Sequence, residues 1–323
     1  MPAQAIALIV IKTVTTKGNI MKKYPINKDF DLVKFLTFPV IPQTAPIARG
    51  MLKTLVNEHH GDKYIKVSKS KIEVKGGKID VLVFEPKNDE RTLPALLYFH
   101  GGGFIYKAAP YHYSLAKSYA RYAHCKVIMP DYRLTPDYPY PTAFNDCVQS
   151  LKWVINNANR LNIDTNKIAV GGDSAGGCLA AAVTLYASKS DINLCAQMLV
   201  YPVLDCRMTS KSMAKYTDTP VWNSKLSKKM WELYLKDSKP DEFASPALAQ
   251  DFKKIPKTYI ETAEYDSLHD EGVEYANKLK ASHIDVELFN TIGTMHGFDM
   301  AAKSKIVIES VGRRTDFLRR CFR

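Results

Sequence analysis

The sequence predicts an α/β fold, with a mostly parallel central sheet, helices on both of its faces and a helical lid. Two observations carry this prediction. Short apolar runs at Ala95–Phe99, Lys126–Met129, Lys167–Val170, Gln197–Tyr201, Thr258–Thr262 and Val286–Asn290 alternate with stretches of helical periodicity. Strands apolar at every residue are buried on both faces, as in a parallel sheet covered by crossover helices. A polar, helical segment, Arg207–Phe243, breaks the alternation and reads as an insertion between strands.

Taken in order, residues 1–65 hold short aromatic-containing segments such as "FDLVKFLTFPV" with no strand ladder. They are assigned to the N-terminal part of the lid, with 207–245 as the lid insertion and 66–206 and 246–323 as the core. The run Ala5–Ile11 has no basic residue before it. It is too short for a signal peptide or a span, which needs about 20 apolar residues. A cytoplasmic protein without stable membrane insertion is the expectation. From Lys71, "KIEVKGGKIDVLVFEP" reads as an antiparallel hairpin turning at Gly76-Gly77. Helices are expected at Thr142–Arg160, Ala175–Ser188, Glu271–Ser282 and Ser304–Arg319. In the first, Phe144, Cys147, Val148, Leu151 and Ile155 form one stripe.

With 323 residues, 46% hydrophobic and 24% charged, the chain suits a soluble globular protein with a substantial core. The net charge of +12 raises the question of nucleic acid. The lysines are spread, however, and in "KVSKSKIEVKGGK" they alternate with apolar residues, as on the wet face of a hairpin. Only "GRRTDFLRRCFR" is locally dense, and it suits the end of an amphipathic helix, so no nucleic-acid partner is expected. The six cysteines form no CxxC pair, which argues against zinc and against a disulfide scaffold. Reduced thiols in a cytoplasm fit this usage.

The chemistry concentrates at "AVGGDSAGGCLAAAV" (Ala169–Val183). Gly172-Asp173-Ser174-Ala175-Gly176 fits G-x-S-x-G between a strand, "KIAV", and a helix, the context of a nucleophile elbow. Glycine two residues to either side of Ser174 lets strand and helix approach. At the helix N-terminus the free N–H of Ala175 can face developing negative charge. A second signal, "LLYFHGGGFIY", puts His100-Gly101-Gly102-Gly103 at the carboxyl end of a buried strand. Backbone amides bared there are the form of oxyanion hole expected opposite such an elbow.

Enzymes with this elbow follow the chain order serine, acid, histidine. His269, His283 and His296 follow Ser174. His283 lies near a helix C-terminus and His269 beside acids at a helix start, both reading as surface positions. His296, in "GTMHGFDM", sits in a loop after the last strand, where a general base can reach Ser174. The acids on offer are Glu261, Glu264, Asp266, Asp270 and Glu271. Asp270 and Glu271 read as first-turn residues that complement the helix dipole. Asp266, in the loop between strand and helix, is preferred.

The sequence resembles the hormone-sensitive lipase family of carboxylesterases, marked by HGGG and GDSAG, over nearly all of the chain from about Lys71. Besides those motifs it carries "DYRLTPDYPYPTAFND", "YPVLD", "ASPALA", "AEYDSLHDEG" and "HGF" in order. The resemblance implies an α/β-hydrolase fold and a serine esterase acting on short- to medium-chain acyl esters. It implies nucleophile Ser174, acid Asp266, base His296 and an oxyanion hole from the N–H groups of Gly102, Gly103 and Ala175, with Gly101 shaping the loop. No metal or other cofactor is implied. Ser267 stands where proline is usual, and "TPD" replaces the commoner "APE". Asp173, Arg133 and Asp131 are expected to form a buried charge-assisted network bracing the elbow. An amidase or deacetylase on the same site, or a non-catalytic binding protein, are the rival readings. The lysine-rich insertion argues against an interfacial lipase. Trp222, Trp231, Tyr234 and Phe35 are candidate pocket walls, with packing inside the lid as their expected role. A homodimer is compatible with the sequence.

Overall fold

A computed structural model describes residues 23–34 and 61–323. The run Ala5–Ile11, Phe35 and most of the 1–65 lid assignment lie outside the described residues. The strands are β1 (Ile65–Val74), β2 (Gly77–Pro86), β3 (Leu93–Phe99), β4 (Lys126–Pro130), β5 (Ile163–Asp173), β6 (Ala196–Val200), β7 (Thr258–Tyr265) and β8 (Val286–Met295). They form one 8-stranded sheet in the order β1-β2-β4-β3-β5-β6-β7-β8. β1 and β2 pair antiparallel and β2 pairs antiparallel with β4, whereas every pair from β4 to β8 is parallel. The chain therefore has the mostly parallel sheet that its apolar runs imply. In the hairpin Val74 pairs with Gly77, so the turn is Lys75-Gly76, one residue earlier than expected. Gly76 has φ +84°, a value a side chain disfavours.

The helices are α1 (Pro110–Tyr122), α2 (Thr142–Asn156), α3 (Ala158–Leu161), α4 (Ala175–Lys189), α5 (Lys211–Lys215), α6 (Ser224–Leu235), α7 (His269–Ala281) and α8 (Lys305–Cys321). The single helix expected at 142–160 is interrupted at Asn157, whose side chain donates to the Trp153 carbonyl. α1 is absent from the sequence reading. Its tyrosines and His112 mask a helical pattern, although Leu115, Ala116, Tyr119 and Ala120 share its buried face. Within 207–245, α5 and α6 are short, and Met230, Trp231 and Tyr234 are buried in the main core cluster. The polar composition of that insertion thus describes only its outer face.

Register sets the site. Phe99 at the end of β3 lies beside Gly172 of β5, and Asp173 lies beside Val200 of β6. The loops leaving β3 and β5 therefore emerge side by side at the carboxyl edge of the sheet. Among the described residues no helix is long and apolar enough to cross a membrane.

The C-terminal helix departs from the wet basic surface its composition suggests. Arg314 of α8 is fully buried and bonds Glu261 of β7 at 2.6 Å and Asp299 at 3.0 Å. Burial pushes the Glu261 carboxyl up, but Arg314, Thr291 and Arg313 outweigh it and hold it at about 2. Replacing Arg314 alone takes the cation from buried Asp299 and leaves Glu261 to Arg313 and Thr291. Arg314→Met is expected to lower stability by about 3–5 kcal/mol, read from the urea midpoint.

Glu271, expected to complement the helix dipole as a charge, does something else. Its carboxyl is buried and accepts the Leu204 N–H at 2.6 Å, tying α7 to the loop after β6. Burial pushes it well above the usual carboxylate range. The folded protein then keeps a proton that the unfolded chain loses above about pH 4.3. Stability contributed here falls as pH rises through that window. Glu271→Gln keeps an acceptor for Leu204 and removes the titration. Its stability relative to wild type should therefore rise between pH 5 and pH 8. Parallel pH profiles for the two proteins would refute the assignment.

Candidate active site

Ser174 caps β5 and opens α4 with φ +54° and ψ −120°, a conformation rare for a residue with a side chain. The reason lies in its neighbours. A Cβ on Gly172 would meet the Gly176 carbonyl oxygen at 2.2 Å, and one on Gly176 would meet the Phe99 oxygen at 2.0 Å. Strand, helix and the end of β3 approach to distances only glycine permits. The Ser174 N–H still donates to the Val200 carbonyl at 2.9 Å, which anchors the strained turn to β6.

The structure brings Ser174, His296 and Asp266 together. Ser174 Oγ lies 2.8 Å from His296 Nε2, and His296 Nδ1 lies 2.7 Å from Asp266 Oδ2. Asp266 is fully buried after β7, and its other oxygen accepts the Leu268 N–H at 3.0 Å. With the carboxylate accepting at Nδ1, the proton sits on that nitrogen and Nε2 is left to accept from the serine. His296 follows β8 directly, and the ring of Tyr201 packs against it edge-on at 4.9 Å.

The other sequence candidates fall elsewhere. His283 is exposed, and His269 pairs with Asp270. Asp270 also accepts the Ser212 N–H, and Glu264 accepts the Gly293 N–H. Glu261 belongs to the Arg314 network.

Gly102 and Gly103, with φ of +121° and +60°, face the same cavity as Ser174 and His296. Their N–H groups donate to no acceptor among the described residues. Ala175 is buried at the first position of α4, where helical geometry leaves its N–H without an intrahelical partner. Gly101 is held differently: its N–H donates to Asp173 Oδ1 at 3.1 Å.

Asp173 is the brace, and its partners correct the expected network. It accepts from the Tyr98 hydroxyl at 2.6 Å and contacts His112 Nε2 at 3.1 Å. Because the Ala109 N–H donates to His112 Nδ1, the ring proton lies on Nε2 and points at Asp173. Burial raises Asp173, yet His112 and Tyr98 pull it down to about 2. Arg133 instead grips Asp146 through two bonds, and Asp131 pairs with Lys107 at the half-exposed rim. Neither touches the elbow, because both extend from the loop after β4 toward α2 and the surface. His100 is buried and pushed down to about 4, mainly by that burial, and its Nδ1–H donates to the Gly101 carbonyl, which can only accept.

The cavity measures about 70 Å³ and is mostly apolar, with Tyr106, Tyr201, Val221, Trp222 and Met300 among its walls. Of the aromatic candidates, Trp222 lines it. Trp231 and Tyr234 pack on Phe104, Tyr234 stacking at 3.8 Å between centroids. Sequence reasoning gave no role to His112 or Tyr201. The only signals for them were a histidine close after HGGG and the tyrosine of "YPVLD".

Known proteins share this arrangement of chain. A family model described as alpha/beta hydrolase fold matches residues 96–300. Arylesterase of Saccharolobus solfataricus is 34% identical over 232 residues, covering 71% of this chain and 75% of its own. Carboxylesterase NlhH of Mycobacterium tuberculosis is 31% identical over 297 residues, covering 88% and 92%. Among solved structures, a bacterial heroin esterase superposes with a TM-score of 0.85 at 28% identity, over 93% of this chain and 98% of that one. The match to the family model over most of the chain, together with these relatives, establishes that the protein belongs to the hormone-sensitive lipase-like carboxylesterases of the α/β-hydrolase fold.

Proposed function

We propose that the protein hydrolyses short- to medium-chain acyl esters of small alcohols through an acyl-enzyme on Ser174. The observation that supports this most is the unbroken hydrogen-bonded chain from Ser174 through His296 to Asp266, at 2.8 and 2.7 Å. On this reading Ser174 Oγ attacks the ester carbonyl as His296 Nε2 takes its proton, with Asp266 holding the imidazole in the required tautomer. The oxyanion accepts from the N–H groups of Gly102, Gly103 and Ala175, each such donor being worth about 2.7–4 kcal/mol. His296 returns the proton to the departing alkoxide. It then deprotonates a water that releases the acid and restores Ser174.

The relatives named arylesterase and carboxylesterase support an ester substrate. A cavity of about 70 Å³ supports a small one, since drug-sized pockets span roughly 300–1,000 Å³. Residues 207–245 act as the lid, a role supported by Val221 and Trp222 in the cavity wall. The free cysteines support residence in a reducing cytoplasm.

Ser174→Ala is expected to remove hydrolysis of p-nitrophenyl butyrate by roughly a million-fold while leaving the circular dichroism spectrum intact. Activity near wild type in that variant would end the proposal. Asp266→Asn should lower kcat by roughly 10⁴-fold, and Asp270→Asn should leave most of it. The opposite order would move the acid to α7.

A further inference from the structure

Trp222 occupies an unusual place. It lies in the turn before α6, yet its indole reaches the catalytic cavity and is only 4% exposed. A Cβ on Gly103 would lie 2.9 Å from the Trp222 Cη2 atom, so the indole rests on the glycine loop. Its centroid is 6.0 Å from that of the His296 ring. The indole thus borders both the glycine loop and the imidazole.

The indole is also fixed. Its Nε1–H donates to Ser227 Oγ at 2.9 Å, while the backbone carbonyl of Trp222 accepts from the Thr219 hydroxyl at 2.7 Å. The preceding residue, Val221, has φ +66°. A β-branched residue in the left-handed region is a genuine outlier, sustained only where surrounding contacts over-determine it. This strain delivers Val221 and Trp222 side by side into the cavity wall, and a Cβ on Gly297 would touch the Val221 side chain at 3.4 Å. Val221 and Trp222 are thus held against the site by hydrogen bonds on one side and by Gly103 and Gly297 on the other.

We propose that Trp222 is the residue that sets the upper length of the acyl chain, by filling the space beside Gly103 into which a longer chain would extend. The proposal rests on the esterase reading and deepens it. Removing the indole opens that space while leaving Ser174, His296, Asp266 and the backbone amides in place.

The test compares kcat/KM for p-nitrophenyl acetate, butyrate, hexanoate and octanoate in the wild type, Trp222→Ala and Trp222→Leu. Active enzyme is counted by labelling with a small fluorophosphonate. The readout is the ratio of octanoate to acetate, which partial unfolding does not change. Wild type should favour the short esters. The ratio should rise by at least about tenfold in Trp222→Ala and by less in Trp222→Leu, given what one methylene is worth in an apolar pocket. A parallel series of acetate esters of longer alcohols should move little. An unchanged ratio in a labelled variant, a shift confined to the alcohol series, or a wild type that already prefers octanoate would overturn the proposal. Should Trp222→Ala fail to fold, the Trp222→Leu profile decides. A wild type that neither labels at Ser174 nor hydrolyses any ester brings down the catalytic reading itself, a result distinct from any chain-length profile.

Discussion

Three stretches of backbone meet at one place where no side chain fits. The end of β3, the end of β5 and the first turn of α4 are close enough that a methyl group on Gly176 would overlap the Phe99 oxygen at 2.0 Å. That contact fixes how helix and sheet cross, and it forces the chain between Gly172 and Gly176 into a sharp reversal. Ser174, at its apex, is held at φ +54° because its neighbours leave it no relaxed alternative. The strain is local and the restraint is not: the Val200 carbonyl and the packed strand ends on either side all oppose its release.

Around that contact, buried charge supplies direction. Asp173 collects Tyr98, Gly101 and His112, joining the elbow to the glycine loop through a carboxylate that cannot turn without losing several partners. Further out, Arg314 ties Glu261 to Asp299, and the Tyr201 hydroxyl donates to Asp299 at 2.7 Å. Because the Tyr201 ring also packs on His296, the C-terminal helix is linked to the imidazole through two side chains, Asp299 and Tyr201. Buried ion pairs contribute little net stability against an apolar replacement. Their value here is orientation, since each bond points one group in one direction.

How much of this the sequence carried depends on the range of each interaction. Parallel strands were legible because burial on both faces leaves an apolar run, as in Ala95–Phe99. The glycines around Ser174 were legible as a local G-x-S-x-G pattern between strand and helix, although the contact that demands Gly176 comes from Phe99 on β3. Arg314 was not: it stands in a basic tail, and its partners Glu261 and Asp299 lie 53 and 15 positions away. The same holds for Glu271, which looks like a first-turn carboxylate until Leu204 is folded against it. α1 escaped because its buried Leu115, Ala116, Tyr119 and Ala120 are interleaved with polar and aromatic residues. Trp222 reads as lid packing until Gly103 is seen beneath it.

The two outer strands of the sheet are defended unequally. β1 carries Lys66, Lys69 and Lys71, all exposed, along its length. β8, at the other side, exposes Ile292 and offers no comparable row of ammonium groups. Lysines along an outer strand discourage edge-to-edge pairing between molecules, and here Lys66 pairs with Glu85, and Lys69 and Lys71 with Asp80, on the adjoining β2. That deterrent is coulombic and weakens as ions accumulate, with a reach of about 10 Å at 0.1 M and about 3 Å at 1 M. Repulsion between ammonium groups is therefore the part of the β1 side's protection that concentrated salt removes.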